Sequence, residues 1–161
     1  MEITGEYRLG APRDEAWKLL LAPEALQRAL PGCQQMTEEE DGHYAVTLKV
    51  GVAAIKGTIT GKVHLLDQHE PDSYTMAVDG KGSIGVAAGK AAVRLQDAGE
   101  TTIVRVVGEA EVHGLVASVG QRMLRGVAVR MMDQFFKSID HQLGECQQRA
   151  SASSPLPGDA Q

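Results

Sequence analysis

The stretch GLVASVGQRMLRGVAVRMMDQFFKSIDHQL, residues 114–143, is the longest part of the chain with the apolar spacing of a helix. Its apolar residues recur every three or four positions, at Val116, Val119, Met123, Val127, Met131, Phe135 and Ile139. Most charged residues fall on the other side, as expected of an amphipathic helix that buries one face. At ~1.5 Å per residue such a helix is roughly 45 Å long. It therefore needs a large apolar surface to pack against.

The residues before this helix supply that surface as a series of strands. A first strand, Ile3–Leu9, is followed by two short helices that begin at Pro12 and Pro23, and Pro31-Gly32 ends the second. Six strands separated by turns follow: Gln34–Glu40, His43–Val50, Ile55–Leu66, Tyr74–Gly82, Val86–Gln96 and Thr101–His113. We predict an α+β fold in which a seven-stranded curved antiparallel sheet surrounds the long C-terminal helix. We assign residues 1–148 to this domain and 149–161 to a flexible polar tail.

Composition excludes several classes of protein. The net charge of −5 argues against a nucleic-acid-binding face, and only 4% of the residues are aromatic. Cys33 and Cys146 have no metal-ligand spacing and are typical of free thiols in a reducing compartment. No apolar run approaches the ~18 residues of a membrane span, and we see no signal peptide. We expect a soluble, cytoplasmic protein.

The inner face of the predicted sheet carries unusually small residues. Period-two alternation sends these residues towards the long helix: Gly57, Gly61, Gly80, Gly82, Ala87, Gly89, Ala91, Gly108 and Ala110. Two explanations remain open. The glycines relieve strong curvature or bulges, or the small side chains leave an apolar cavity for a ligand.

The loops at the two ends of the meander differ in character. Those at 41–42, 67–73 and 97–100 are acidic and polar, whereas those at 51–54, 82–86 and 113–116 are apolar. The apolar loops form a cavity mouth, a partner contact or a membrane-touching rim, or they fold under and plug the end of the sheet. The candidate membrane contacts are Val52, Ile84, Val86 and Leu115.

Polar constellations give no catalytic or metal site. The histidines are scattered, without metal-binding helical spacing, at His43, His64, His69, His113 and His141. Glu109 and Glu111 share the solvated face of one strand. The glycine-rich segment 80–85 resembles a phosphate loop, but no helix follows it to supply an N-terminus. We therefore predict no catalytic residue and no metal ligand.

One polar group near the start of the long helix is a candidate for ligand orientation. Gln121 or Arg122 orients a polar head such as a quinone carbonyl; alternatively, Gly120 permits close helix–sheet approach and its two neighbours face water. The full set of candidate ligand-binding residues is Ile59, Met76, Val78, Gly80, Ala91, Val106, Gly108, Ala110, Val119, Gly120, Gln121, Arg122, Met123, Val127 and Met131.

Short matches over residues 2–143 make the chain similar to a known family. They are Pro23-Glu24-Ala25-Leu26, Leu30-Pro31-Gly32-Cys33, Lys56-Gly57, Gly61-Lys62-Val63, Gly80-Lys81-Gly82, Gly89, Gly120-Gln121-Arg122 and Asp133-Gln134-Phe135-Phe136. Together they resemble the family of the carbon monoxide dehydrogenase CoxG subunit. That family belongs to the START-like, birch-pollen-allergen-like superfamily (SRPBCC), whose fold is the helix-grip.

The resemblance implies an accessory protein rather than a catalyst. Its relatives are linked with attaching a molybdenum hydroxylase to the membrane and passing electrons to quinone, and the superfamily binds hydrophobic ligands between sheet and helix. The implied cargo is a quinone or another lipid, with no other cofactor. The short polar tail favours reversible contact with the inner face of the membrane over stable anchoring. Two alternatives are a cyclase or dehydratase, which needs titratable residues in the cavity, and a protein–protein adaptor with a filled core.

Overall fold

A computed structural model describes residues 1–52 and 54–153, with only the backbone described for Val52 and for residues 149–153. The elements in chain order are β1 (Glu2–Leu9), α1 (Arg13–Leu20), α2 (Pro23–Ala29), β2 (Cys33–Glu40), β3 (His43–Val52), β4 (Ile55–His69), β5 (Ser73–Gly82), β6 (Gly85–Ala98), β7 (Thr101–His113), a short 3₁₀ helix (Leu115–Val119) and α3 (Gln121–Ser153).

The seven strands form one antiparallel sheet in the order β1-β7-β6-β5-β4-β3-β2. Strands β2 to β7 are a meander, and β1 returns to pair with β7, so β1 and β2 are the two edges. The predicted α+β helix-grip architecture is confirmed. Strand β4 runs past its predicted end at Leu66 because a register shift before His69, with Asp67 at φ 50°, interrupts the alternation that marks a strand in sequence.

The main core lies where α1, α2 and the second half of α3 meet the sheet. Helix α3 contributes Phe135, Phe136, Ile139 and Leu143, which are spaced to share one face and are all buried. Each such side chain contributes about 1.5–3 kcal/mol when fully buried. Their partners in this cluster include Leu9, Trp17, Leu20, Leu26, Leu65, Tyr74, Val93 and Val104.

Polar contacts fix the position of α3 against β1 and α2. The Tyr7 hydroxyl donates to Asp133 at 2.6 Å, and the Gly10 amide donates to Asp140 at 2.8 Å. Gln142, buried in the core, donates to the carbonyl oxygen of Ala25. The second half of the helix is thus held on both sides.

A second apolar cluster closes the apolar end of the sheet. Ile84 and Val116 are its buried centre, and the Val116 amide donates to the Ile84 carbonyl at 2.7 Å. Around them pack Val50, Ile55, Ile59, Val112, Val119, Leu124 and Val127. The plugging alternative therefore holds for Ile84 and Val116. The expectation that Ile84 lies on an exposed rim is wrong, whereas Val86 and Leu115 are exposed.

The long helix differs from its prediction at both ends. Instead of one helix from Gly114, a 3₁₀ helix is separated from α3 by Gly120, whose φ of 94° lies outside the right-handed helical region. At the other end α3 continues to Ser153, so residues 149–153 of the predicted tail are helical. The remainder of that tail, the Val52 side chain and Ala53 lie outside the described residues. Within the described ranges, no helix has both the length and the apolar character needed to cross a membrane.

Candidate functional site

A cavity of about 300 Å³ lies between strands β5–β7 and the middle of α3. Three rows of facing residues form its sheet side: Tyr74, Val93 and Val106; Met76, Ala91 and Gly108; and Val78, Gly89 and Ala110. Helix α3 covers it with Ala128, Met131, Met132, Phe135 and Phe136, and Ile3, Leu30 and Pro31 complete the walls. The volume exists because the middle and last rows are built largely of glycine and alanine.

The inner-face glycines have different causes at different positions. Gly89 and Gly108 line the cavity, as the cavity explanation requires. At Gly82 an added Cβ would lie 2.2 Å from the Thr58 carbonyl oxygen, so this glycine permits close approach of two strands. At Gly57 and Gly80 the space is already taken, because a Cβ would lie 2.7 Å from a side-chain carbon of Ile84 or Ile59 respectively. Both explanations therefore apply. They coincide at Gly108, which lines the cavity although an added Cβ there would also lie 2.8 Å from the Ala91 Cβ and 2.9 Å from the Lys90 carbonyl oxygen.

The cavity is almost entirely apolar. Lys90 and Glu109 border it, but both are exposed residues on the strand face that alternates with the cavity side. Among the described lining residues, Tyr74 is the only one that brings a polar side-chain atom to the buried side. Such a lining is suited to apolar molecules, and the described lining residues provide no pair of acid and base groups on its buried side.

Tyr74 is held deep in the core at the first row of the cavity. Its side chain is 2% exposed, and its ring packs edge-on against Trp17 with centroids 5.6 Å apart. Burial raises its pKa well above the usual range, so the hydroxyl is neutral at physiological pH. The sequence pattern places Tyr74 on the inner face but does not distinguish it from the other inward residues.

The structure divides the predicted ligand-binding residues into two groups. Those that line the cavity are Met76, Val78, Ala91, Val106, Gly108, Ala110 and Met131. Ile59, Val119 and Val127 instead belong to the cluster that closes the sheet end, and Gly80 accommodates Ile59. The cavity is not lined by Gly120, Gln121, Arg122 or Met123, all of which are exposed.

The proposed roles of the segment 120–122 need correction. A Cβ at Gly120 would have no neighbour within 4 Å, so this glycine does not serve close helix–sheet approach. Its positive φ is the reason for its presence. Gln121 and Arg122 follow it at the closed end of the sheet, where both residues are exposed and neither lines the cavity.

Several lining residues were not predicted. They are Ile3, Leu30, Pro31, Tyr74, Gly89, Val93, Ala128, Met132, Phe135 and Phe136. Phe135 could have been predicted from the apolar stripe of the helix. Gly89 could have been predicted from its place among the small residues of the inner face. For Leu30 and Pro31 no local pattern indicates that the turn after α2 closes the side of the cavity.

Two further hollows surround the site. One of about 230 Å³ adjoins the cavity and shares Pro31 and Met131 with it; Lys49, Arg130 and Gln134 make its rim polar. A wider groove of about 560 Å³ lies on β2–β5, lined largely by polar or exposed side chains such as Thr60 and Lys81. The groove is open and polar, so it offers an apolar molecule little burial.

Histidines and cysteines do not form a metal centre within the described part of the chain. His43 and His64 face each other across β3 and β4, with their Nδ1 atoms 2.5 Å apart. No group of three histidine, cysteine, aspartate or glutamate side chains is placed to hold a metal ion among the residues described. Cys33 and Cys146 are free thiols.

Comparison with known proteins agrees with this geometry. The model of the carbon monoxide dehydrogenase CoxG subunit family matches residues 5–144. The crystal structure of a conserved protein from Geobacillus kaustophilus is 30% identical, with a TM-score of 0.86, and the alignment covers 90% of this chain and 96% of that one. No match was found among curated proteins.

More distant structures share the fold. A START superfamily protein from Mycobacterium smegmatis is 9% identical, with a TM-score of 0.68 and coverage of 90% and 98% of the two chains. A Streptomyces aromatase/cyclase is 20% identical, with a TM-score of 0.66 and coverage of 97% and 99%. At these identities the likeness concerns the fold alone. Because the family model matches residues 5–144, this chain belongs to the carbon monoxide dehydrogenase CoxG subunit family, and its fold is START-like.

Proposed function

We propose that this protein is a non-catalytic accessory protein that takes up a hydrophobic ligand, a quinone or another lipid, between its sheet and α3. The observation that carries the proposal is the cavity of about 300 Å³, with an almost wholly apolar lining. Apolar surface moved from water into such a cavity stabilises the complex by roughly 25 cal/mol per Å², less the entropic cost of binding.

The partner in this proposal is a molybdenum hydroxylase of the carbon monoxide dehydrogenase type. Membership of the CoxG family supports this choice. The protein would recruit the enzyme to the membrane or receive its electrons on a bound quinone. Receiving electrons requires a site for the quinone, and neither role requires a catalytic group of the accessory protein itself.

Membrane contact in this proposal uses the outside of the closed sheet end. Val86, Leu115 and Met123 are exposed there, and Arg122 and Arg125 are exposed on the first turns of α3. Apolar side chains beside arginines suit the boundary between the head groups and acyl chains of an anionic membrane. The contact would be peripheral and reversible.

An enzyme and an adaptor are the competing functions. A cyclase or dehydratase needs acid and base groups that reach its substrate. The cavity offers only the Tyr74 phenol, which burial keeps neutral. An adaptor with a filled core would have no cavity of this size. The apolar void therefore favours a carrier over both.

The test is to identify what the protein carries and whether filling the cavity prevents binding. Native mass spectrometry and organic extraction of protein from its own host should find a stoichiometric quinone or lipid. Ala91→Leu places a larger side chain in the cavity and should weaken binding by about tenfold or more. Ala92→Leu is the matched control, because the neighbouring Ala92 is exposed on the other face of β6.

Two results would overturn the proposal. One is a host-purified protein that carries no apolar molecule and takes up none in titration. The other is equal binding by the Ala91 and Ala92 variants, which would place any ligand elsewhere. The adaptor function would then be examined by capture of the partner enzyme.

A further inference from the structure

The three tyrosines of the chain differ in how their hydroxyl groups are satisfied. Tyr7 donates to Asp133 at 2.6 Å, whereas burial and then the nearby Glu38 carboxylate raise the pKa of the Tyr44 hydroxyl. Tyr74 is the most deeply buried of the three. Apart from apolar packing, it makes an edge-on aromatic contact with Trp17. Its hydroxyl has no hydrogen-bond partner among the described residues.

The other buried polar side chains are paired. Thr102 donates to the Ala11 carbonyl at 2.8 Å, and Gln142 donates to the Ala25 carbonyl at 3.2 Å. Over the described residues, no fully enclosed side-chain oxygen or nitrogen lacks a partner. An unpaired Tyr74 hydroxyl must therefore touch free space, and the cavity is the free space that Tyr74 lines.

Folding alone gives no reason for this hydroxyl. A buried hydroxyl that leaves water without gaining a partner destabilises the folded state, and phenylalanine would fill the same position without that cost. An unpaired polar group in a native interior calls for an explanation such as a ligand or an unseen water. Its place on the wall of an otherwise apolar cavity points to a ligand.

We infer that the Tyr74 hydroxyl is the polar anchor of the cavity and donates a hydrogen bond to a carbonyl oxygen of an otherwise apolar ligand. This inference rests on the proposed function and adds the chemistry of recognition. The phenol is neutral, so it can act as the donor. The shared chemistry is a carbonyl, which a quinone ring or an acyl ester supplies.

The anchor also orients the ligand. Tyr74 lies in the row with Val93 and Val106, whereas the last row, with Val78 and Gly89, offers only apolar surface. A ligand with its carbonyl at Tyr74 therefore directs its apolar tail along α3 towards the last row.

The test compares two ligands that differ only in their carbonyl groups. Menadione is a methylated naphthoquinone, and methylnaphthalene has the same ring system without oxygen. Calorimetric titration of Tyr74→Phe should show a roughly 2- to 13-fold weaker affinity for menadione than the unaltered protein, the size of one neutral hydrogen bond. The affinity for methylnaphthalene should not change.

Tyr44→Phe is the control, because it removes the hydroxyl of a buried tyrosine that does not line the cavity and leaves the ring in place. Both affinities should be unchanged in it. A second readout is the infrared carbonyl stretch of bound menadione. It should lie at lower frequency in the unaltered protein than in Tyr74→Phe, a difference that a purely structural role of Tyr74 would not produce. Thermal unfolding verifies that the variant folds.

The outcomes separate the anchor from the proposed function. If Tyr74→Phe leaves the affinities for menadione and for dioctanoylglycerol unchanged, or weakens the binding of menadione and methylnaphthalene equally, the anchor is refuted while the apolar site stands. If the unaltered protein binds none of menadione, methylnaphthalene and dioctanoylglycerol, the proposed function is refuted, and the anchor is refuted with it. Dioctanoylglycerol, a diester lipid, distinguishes the source of the carbonyl. Weaker binding of the diester alone by Tyr74→Phe assigns the anchor to acyl esters, and weaker binding of menadione alone assigns it to quinones.

Discussion

At Gly61 the backbones of β4 and β5 lie too close for any side chain. A Cβ built there would lie 1.9 Å from the carbonyl oxygen of Asp79. The obstructing atom belongs to the backbone, so relief requires the two strands to separate. Gly61 also pairs with Gly80 across these strands, which concentrates the missing side chains at one point of the sheet. This local approach permits the curvature that lets the sheet wrap towards α3.

Alanine substitution at two strand glycines distinguishes the steric effect of close strand approach from the general effect of replacing a glycine in a strand. Gly61→Ala should lower the free energy of unfolding by about 1–3 kcal/mol, because the strands must shift. Gly51→Ala should be neutral or slightly stabilising, since its nearest neighbour would be a Lys56 side-chain carbon at 3.8 Å. Urea denaturation measures both. Similar losses in the two variants would contradict the assignment.

Tyr74 should also be visible in the pH dependence of stability. Burial raises its pKa above the ordinary value of 10.0. Above that pH the unfolded chain loses the phenolic proton while the native protein keeps it, so the free energy of unfolding falls as pH rises. For one proton the slope reaches about 1.4 kcal/mol per pH unit, and below the ordinary pKa this contribution is constant.

Urea denaturation of the ligand-free protein at several alkaline pH values measures that slope. Tyr74→Phe should show a shallower decline than the unaltered protein, because one proton no longer contributes. Since other ionisable groups also contribute to stability at alkaline pH, only the difference between the two proteins is diagnostic. Parallel declines would show that the native phenol titrates as in water.

At the scale of elements, the start of α3 is set by backbone conformation rather than packing. Gly120 has φ 94° and ψ 154°, a combination essentially restricted to glycine, and it separates the 3₁₀ helix from α3. Neither Gly120 nor Gly126, in the second turn of α3, would bring a Cβ within 4 Å of another atom. The two positions therefore differ in backbone conformation and not in available space.

The two alanine variants should have opposite effects. Gly120→Ala should destabilise the protein by about 1–3 kcal/mol, because alanine cannot adopt this conformation without strain. Gly126→Ala should stabilise it by roughly 0.5–1 kcal/mol, as expected for a helix interior. Thermal and urea unfolding report both effects. A neutral Gly120→Ala would mean that the helix can begin without this break.

The elements could be predicted because each has a strong period in the sequence. The alternation of apolar and polar residues predicts both ends of β7 correctly, and Pro12 and Pro23 mark the starts of α1 and α2. The break at Gly120 could not be predicted, because a glycine that terminates a helix and one that allows close packing look alike in sequence. The continuation of α3 to Ser153 was missed because its apolar stripe ends at Leu143.

The cavity could be predicted only in outline. The small inner face indicated it, but the boundaries depend on distances between elements far apart in sequence. Ile84 enters from a loop and occupies the space beside Gly57, which removes that end from the cavity. Tyr74 is inward like its neighbours, and only the absence of a hydrogen-bond partner among the described residues distinguishes it.

At the scale of the whole molecule, charge and apolar surface are segregated. The turns at 41–42, 70–72 and 99–100, together with the strand ends beside them, carry acidic residues at one end of the sheet. The other end has exposed Val86 and Leu115, with Arg122 close by at the start of α3. The proposed membrane contact would therefore use the apolar end, because an anionic membrane repels the acidic one.

Vesicle sedimentation tests this polarity. The protein should bind vesicles containing phosphatidylglycerol more strongly than phosphatidylcholine vesicles, and added salt should weaken the difference. Leu115→Asp should reduce binding roughly tenfold through the lost apolar contact. Val107→Asp is the control, because Val107 is 56% exposed against 58% for Leu115 but lies on the outer face of β7. Equal losses in both variants would exclude a specific contact at the apolar end.

The sheet order has a consequence for self-association. An open sheet has two edges, each with unpaired backbone groups on which another chain can add a strand. Here α3 packs along β1, and α2 lies against β2. The rest of β2 carries Glu38, Glu39 and Glu40, followed by Asp41. Charged side chains on an exposed edge disfavour the addition of another strand, so this acidic run would discourage growth of the sheet from molecule to molecule into fibrils.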